Sequence, residues 1–158
     1  MNPSENLKNT PLFRDMSADE FRIISGIISE KSVSQGGALF VENRPAESLY
    51  IIADGEVKLT RMISEGEERT LAVIGSGDFI GEMALLHDGN RLATCRAIRD
   101  TRLYSIKSAD FQNLMEREPR ACMKLIRSII DVFNRRLHDA DDRVKELLLS
   151  SSGGKKRR

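Results

Sequence analysis

This 158-residue chain is poor in the residues that several protein classes require. Cysteine occurs twice, at Cys95 and Cys122. That is too few for a disulfide framework and fits core thiols in a reducing, cytoplasmic compartment. Charge of one sign is missing: Lys+Arg 25 against Asp+Glu 24 leaves +1, so there is no overall basic footprint for nucleic acid. Long apolar runs are absent. Stretches such as Leu71 to Ile74 fall far short of a membrane span. The first nine residues are polar, without the apolar region of a signal peptide. Only His87 and His138 exist, which argues against a metal-dependent cupin built on a histidine cluster. Nucleophile-elbow, Walker and metalloprotease patterns are also lacking, so the reading is a non-enzyme with no metal, no cofactor and no catalytic residue.

What remains is a chain with 40% apolar and 31% charged residues, the balance of a soluble globular protein. At this length roughly 70% of the unfolded surface can be buried. Residues 1–10 carry no pattern and are expected to fray. Ser17-Ala18-Asp19-Glu20 is a capping box that starts a helix, with Phe21, Ile24, Ile27 and Ile28 as its apolar face. From Val33 to Ile106 the runs are short and turns frequent, which predicts a sandwich, roll or barrel. Strands are expected around 38–41, 49–52, 57–63, 71–74, 92–98 and 103–106. Asp54-Gly55 is the strongest hairpin signal, because a turn there needs φ > 0. Ser108 is the expected cap of a short helix, and Pro119 fits the first turn of a long one reaching about Leu149. Such a helix would be about 45 Å long. Residues 150–154 read as flexible linker. Lys155 to Arg158 form a basic tail, solvated or resting on an acidic surface. The domain plan is therefore 1–10 disordered, 11–118 β-roll with its N-terminal helix, 119–149 long helix and 150–158 tail.

The long helix carries two apolar stripes. Met123, Ile126, Ile130, Phe133, Leu137, Ala140, Val144 and Leu147 repeat with a strict 3, 4 spacing, the period of a coiled-coil seam. In a parallel pair Arg136 would face Asp141 across that seam. A second flank, Cys122, Leu125, Ile129 and Val132, exists only in the first half; in the second half it becomes His138, Asp139, Asp142 and Arg143. The pattern predicts a first half held between its own domain and a partner, and a second half that meets the partner alone. The alternative is one amphipathic helix lying on its own domain.

Residues 75–94 carry the chemistry. Gly77 and Gly81 allow tight turning and close approach to a ligand. Glu82 to Leu86 make about one helical turn, whose amides can face an anion. Arg91, just past the turn 87–90, can complete an anion site, while Glu82 can accept from a sugar hydroxyl. A simple Glu82–Arg91 salt bridge is the competing reading.

Gly81-Glu82-x-Ala84-Leu85, followed at Arg91 by x-Ala93-Thr94, resembles the phosphate-binding cassette of cyclic nucleotide-binding domains. The resemblance extends over roughly residues 11–148. It includes Pro11-Leu12-Phe13, Met16-Ser17-x-x-Glu20, Gly37-x-Leu39-Phe40, Leu49-Tyr50-Ile51-Ile52, Gly55-x-Val57 and Gly77-Asp78-x-x-Gly81-Glu82. It implies a mainly β fold, an eight-stranded β-roll flanked by helices, whose C-terminal helix dimerises. It further implies that Glu82 accepts the ribose 2′-OH, that Arg91 pairs with the phosphate, and that Gly81, Met83, Ala84, Leu92 and Ala93 shape the cradle. Leu71 and Val73 are candidates for the base pocket. Leu92 supplies no hydroxyl for guanine, which favours cyclic AMP over cyclic GMP. The helix turn around Asp139 lacks the Ser or Thr that caps adenine in the activator branch, leaving Asp139 or an aliphatic side chain as the cap. The alternatives are a degenerate interaction module that binds no nucleotide, or a piece of a transcription regulator, since 158 residues leave no room for a winged helix-turn-helix. The implied partners are a cyclic nucleotide, a second copy of the chain and an effector protein, with no membrane.

Overall fold

The computed structural model describes residues 3–152. In chain order it runs α1 (Pro3–Lys8), α2 (Ala18–Ser25), β1 (Ile28–Val33), β2 (Ala38–Phe40), β3 (Ser48–Asp54), β4 (Glu56–Ser64), β5 (Glu67–Gly75), β6 (Phe79–Ile80), α3 (Met83–Leu86), β7 (Thr94–Ala97), β8 (Thr101–Lys107), α4 (Ser108–Arg117) and α5 (Pro119–Ser152). The strands form two antiparallel four-stranded sheets, ordered β1-β8-β3-β6 and β2-β7-β4-β5. This is the mainly β roll with flanking helices that the sequence predicts.

The run Leu49-Tyr50-Ile51-Ile52 explains the layering. Successive strand residues point to opposite faces, so four apolar residues in a row must bury both. Leu49 and Ile51 face the helices, in a core with Phe13, Phe111, Leu125 and Ile129. Tyr50 and Ile52 face the other sheet, in a second core with Val57, Ile80, Cys95 and Leu103. Strand β6 repeats the division in two residues, with Phe79 on the helix side and Ile80 between the sheets.

Several expectations need correction. Residues 3–10 do not fray: α1 forms, and Leu7 and Thr10 are buried against the helical core. The capping box at Ser17 and Glu20 is present, but Gly26 ends α2, so Ile27 and Ile28 are not on its face; Ile28 opens β1. Asp54-Gly55 is not a hairpin turn. Strand β3 pairs with β6 and β8, whereas β4 pairs with β5 and β7, so the glycine turns a corner between sheets. Its φ of 116° is positive as expected, and a Cβ there would come within 2.7 Å of the Thr101 backbone. The true hairpin is β4–β5, closed at Glu65-Gly66. Ser108 does not cap α4: Lys107 stands at the cap without a side-chain bond.

Helix α5 starts at Pro119 and continues through Ser150–Ser152, whose hydroxyls donate back to the carbonyls of Leu147 and Leu148. The rest of the expected linker and the basic tail, 153–158, lie outside the described residues. Cys122, Leu125, Ile129 and Val132 are buried on α2, α4 and the sheet, as the second stripe predicts. Among the described residues, no helix is long and apolar enough to cross a membrane.

Candidate functional site

A cavity of about 470 Å³ opens between the sheets beside α3, with Glu82 and Arg91 in its wall. Its apolar lining includes Phe40, Leu59 and Ile80, so charged groups in its wall are partly withdrawn from water. Gly81, Met83, Leu92 and Ala93 also line it. The structure therefore gathers almost the whole cassette around one space.

Helix α3 supplies the acidic side. Glu82 is its N-cap, and only 9% of the residue is exposed. Burial pushes the Glu82 carboxyl above its ordinary value, opposed by a backbone hydrogen bond and then by Arg136 and Arg91. A buried carboxylate beside a cavity is a ready acceptor for a hydroxyl. Ala84 and Leu85 pack inward, while Met83 stands at the rim. The Ala84 amide donates to the Gly81 carbonyl at 3.1 Å, so it is engaged within the turn. Gly81 has φ 79°, and a Cβ on it would lie 2.6 Å from Arg91 Nη1 and 3.0 Å from the Ser48 carbonyl. Only glycine lets the strand turn that close to the arginine.

Arg91 supplies the basic side. Its main chain is strapped to the segment after β2: the Arg91 amide donates to the Arg44 carbonyl at 2.7 Å, and the Asn43 amide donates to the Arg91 carbonyl at 2.8 Å. Its side chain is 6% exposed. Nη2 donates to the Ser48 carbonyl at 2.6 Å and Nη1 to the Gly81 carbonyl at 3.2 Å. The guanidinium carbon sits 4.1 Å from the centre of the Phe40 ring. The salt-bridge reading fails, because Glu82 and Arg91 form no ion pair and the terminal nitrogens of Arg91 donate to main-chain carbonyls. Nε has no acceptor among the described residues. Burial lowers the Arg91 pKa, yet an arginine remains charged. The wall thus holds a fixed, buried cation and a buried carboxylate around the same space.

Sequence reasoning missed the residue that links this wall to α5. Arg136 Nη2 donates to Asp78 Oδ1 at 2.6 Å and to the Phe79 carbonyl at 3.4 Å, and its guanidinium lies 5.0 Å from the Phe79 ring centre. Within the chain, the two members of the expected interchain pair have other partners: Arg136 holds Asp78, and Asp141 takes Lys145 at 2.8 Å. No local signal marks Arg136; its partners are 57 and 58 residues away.

Four candidates do not line the cavity: Ala84, buried within α3 with its amide bonded to Gly81, and three residues further off. Leu71 and Val73, on edge strand β5, are 56% and 55% exposed. Leu59, from the neighbouring β4, lines the space instead. Strand β5 skips a residue against β4 between Ala72 and Thr70, which leaves Leu71 opposite no partner. Asp139 is exposed on α5 and is also absent from the lining. Among the described residues, no group of three or more His, Cys, Asp or Glu is placed to hold a metal.

Comparison with known proteins agrees with this geometry. Residues 30–118 match the family model of the cyclic nucleotide-binding domain. The chain is 33% identical over 135 residues to a cyclic AMP receptor protein of Thermus thermophilus, an alignment covering 85% of this chain and 61% of the relative. It superposes on the N-terminal domain of a transcriptional regulator from Streptomyces coelicolor with TM-score 0.70 and 31% identity, covering 87% of this chain and 94% of the other. The regulatory domain of Toxoplasma gondii PKA, solved with cAMP, aligns with TM-score 0.63 and 29% identity over 70% of this chain and 42% of the other. A family model that spans more than half of the chain and a buried carboxylate–guanidinium cavity at the matching cassette lead to one conclusion: the chain belongs to the cyclic nucleotide-binding domain family.

Proposed function

We propose that this chain is a cytoplasmic cyclic-nucleotide sensor that favours cyclic AMP and signals through α5 as a dimer. The observation that carries the reading is the presence of two buried, oppositely charged residues that do not bond each other, Glu82 and Arg91, in the wall of one largely apolar cavity. Arg91, in the wall of the cavity, offers its charge and its guanidinium donors to the cyclic phosphate. Glu82 accepts from the ribose 2′-OH. Gly81, Met83, Leu92 and Ala93 form the cradle, and Ala84 would join it only if its amide left the Gly81 carbonyl. Leu92 is 74% exposed at the rim and carries no hydroxyl, so nothing at that position rewards guanine. Leu71, Val73 and Asp139 would reach a base only after β5 or α5 moves toward the cavity.

Calorimetric titration with cyclic AMP and cyclic GMP tests the assignment. Removing one partner of a buried, hydrogen-bonded charge pair costs about 3–5 kcal/mol. Arg91→Ala is therefore expected to weaken cyclic AMP binding at least about a hundredfold. Equal affinity of wild type and variant rejects Arg91 as the phosphate ligand.

The output runs through Arg136, which ties α5 to Asp78 and Phe79 at the lead into the cassette. Of the seam, Met123, Ile130, Leu137, Ala140, Val144 and Leu147 are exposed, and Ile126 and Phe133 are half-buried. Leu137, at 67% exposure, lies in the half of α5 where every residue beyond it is exposed. A second copy covers that stripe. Sedimentation is expected to give a dimer for the wild type and a folded monomer for Phe133→Glu with Leu137→Glu; a wild type that is monomeric at high micromolar concentration sinks the seam.

A further inference from the structure

We propose that Phe40 is the positioning residue for Arg91: its ring, backed by Tyr50, fixes the tilt of the guanidinium at the phosphate end of the cavity. The inference rests on the sensor reading of that cavity and adds a residue to it.

The two carbonyl bonds of Arg91 pin its two terminal nitrogens. They leave the group free to rock about the line joining the two nitrogens. Phe40 stops that motion by covering one face at 4.1 Å, with Tyr50 further out at 5.9 Å. The two rings stack on each other, 6.2 Å apart and 18° from parallel. The Lys31 ammonium lies 5.7 Å from the centre of the Tyr50 ring, so the stack carries a cation on each ring.

Phe40 is delivered by an irregularity in β2. Ala38 pairs with Arg96 but Phe40 pairs with Cys95, a slip in register that sets which residue of this three-residue strand meets the cavity. The electrostatics favour an aromatic here. Arg91 is buried, its pKa is lowered by desolvation, and no carboxylate pairs with it among the described residues. The negative face of a ring attracts a cation without neutralising it, so the charge stays available for an incoming anion.

The test uses the full chain with Phe40→Tyr, Phe40→Met and Phe40→Leu. Met keeps most of the volume and guards against a Leu variant that fails to fold. Loss of a desolvated cation–π contact is expected to weaken cyclic AMP binding roughly 3- to 30-fold in Met and Leu, with Tyr within about twofold of wild type. In an Arg91→Ala background, Phe40→Met is expected to cost nothing more, because the contact is already gone. The Arg91 Nε–H resonance, identified by its loss in Arg91→Ala, is expected upfield in wild type and Tyr through the ring current, and downfield in Met and Leu. Equal losses in both backgrounds, or a resonance that ignores the ring, overturn the positioning role. If the wild type binds neither cyclic nucleotide, the sensor reading fails by itself, and the resonance still decides whether Phe40 holds Arg91.

Discussion

The two faces of the sheet β1-β8-β3-β6 do different work with similar material. The helix side is a large aliphatic and aromatic core: Leu12, Phe13, Ile24, Phe111, Leu125 and Ile129 are all fully buried there. The side toward β2-β7-β4-β5 is smaller and holds a cavity, a buried cation and a buried carboxylate. Burying charge opposes folding, so the second side depends on stability supplied by the first. They meet at β6, where Phe79 belongs to one core and Ile80 to the other, and where Arg136 of α5 bonds across the boundary.

The largest test of this contrast is Ile129→Ala. Truncating a fully buried isoleucine costs about 2–5 kcal/mol and is expected to lower Tm by roughly 5–15 °C. Calorimetric affinity for cyclic AMP should stay within about twofold, since the lost methyls face the helices. An affinity that falls with stability would mean the two sides are one cooperative unit.

Asp78→Asn sharpens the boundary instead. Both partners of the Arg136 pair are partly exposed, so stability is expected to change by less than about 1 kcal/mol. Coupling is the quantity that should change. Hydrogen exchange on α5 around Arg136 is expected to speed up in the free protein and to lose its response to nucleotide. A response identical to the wild type's would show that the helix is informed by another route.

The smallest effect concerns Glu82→Gln. Its carboxyl is raised above 4.5 by burial, so the charged form weakens the fold. The stabilising protonated state is fully present at low pH and is lost as pH rises through the raised value. Gln is therefore expected to raise Tm at pH 7 by about 1–3 °C, with the gain vanishing near pH 4. A gain that persists at pH 4 would trace to packing, not charge. Nucleotide affinity should fall in the same variant, because an amide is a poorer acceptor for a hydroxyl.

How much of this was legible in the chain follows from the range of each interaction. The capping box, the twin stripes of α5 and the cassette from Gly81 to Ala93 are encoded within a few turns or one loop, and they read directly. Gly55 shows the limit: its positive φ is local and was readable, but whether the chain then forms a hairpin or changes sheets depends on β6, β7 and β8. Strand β6 has two residues, too few for any period to show. Phe40 and Arg136 carry no mark in their own neighbourhoods. Each is recruited by a partner about 50 residues away, Arg91 for one and Asp78 for the other. Leu71 and Val73 were placed by their pattern on a strand. The skipped pairing at Leu71 and the edge position of β5 decide their exposure, and neither is visible in a one-dimensional alternation.

The strap formed by residues 43–46 has a practical consequence for building a reporter. It grips the chain at Gly89 and at both main-chain groups of Arg91, so the tip at His87 and Asp88 can bear a dye while the arginine stays put. Both native thiols are buried, and desolvation pushes Cys95 up to about 12 and raises Cys122 as well, which keeps them inert toward maleimides. An Asp88→Cys substitution, between the lining residues His87 and Gly89, would therefore take a single fluorophore beside the cavity with no need to remove either endogenous sulfur.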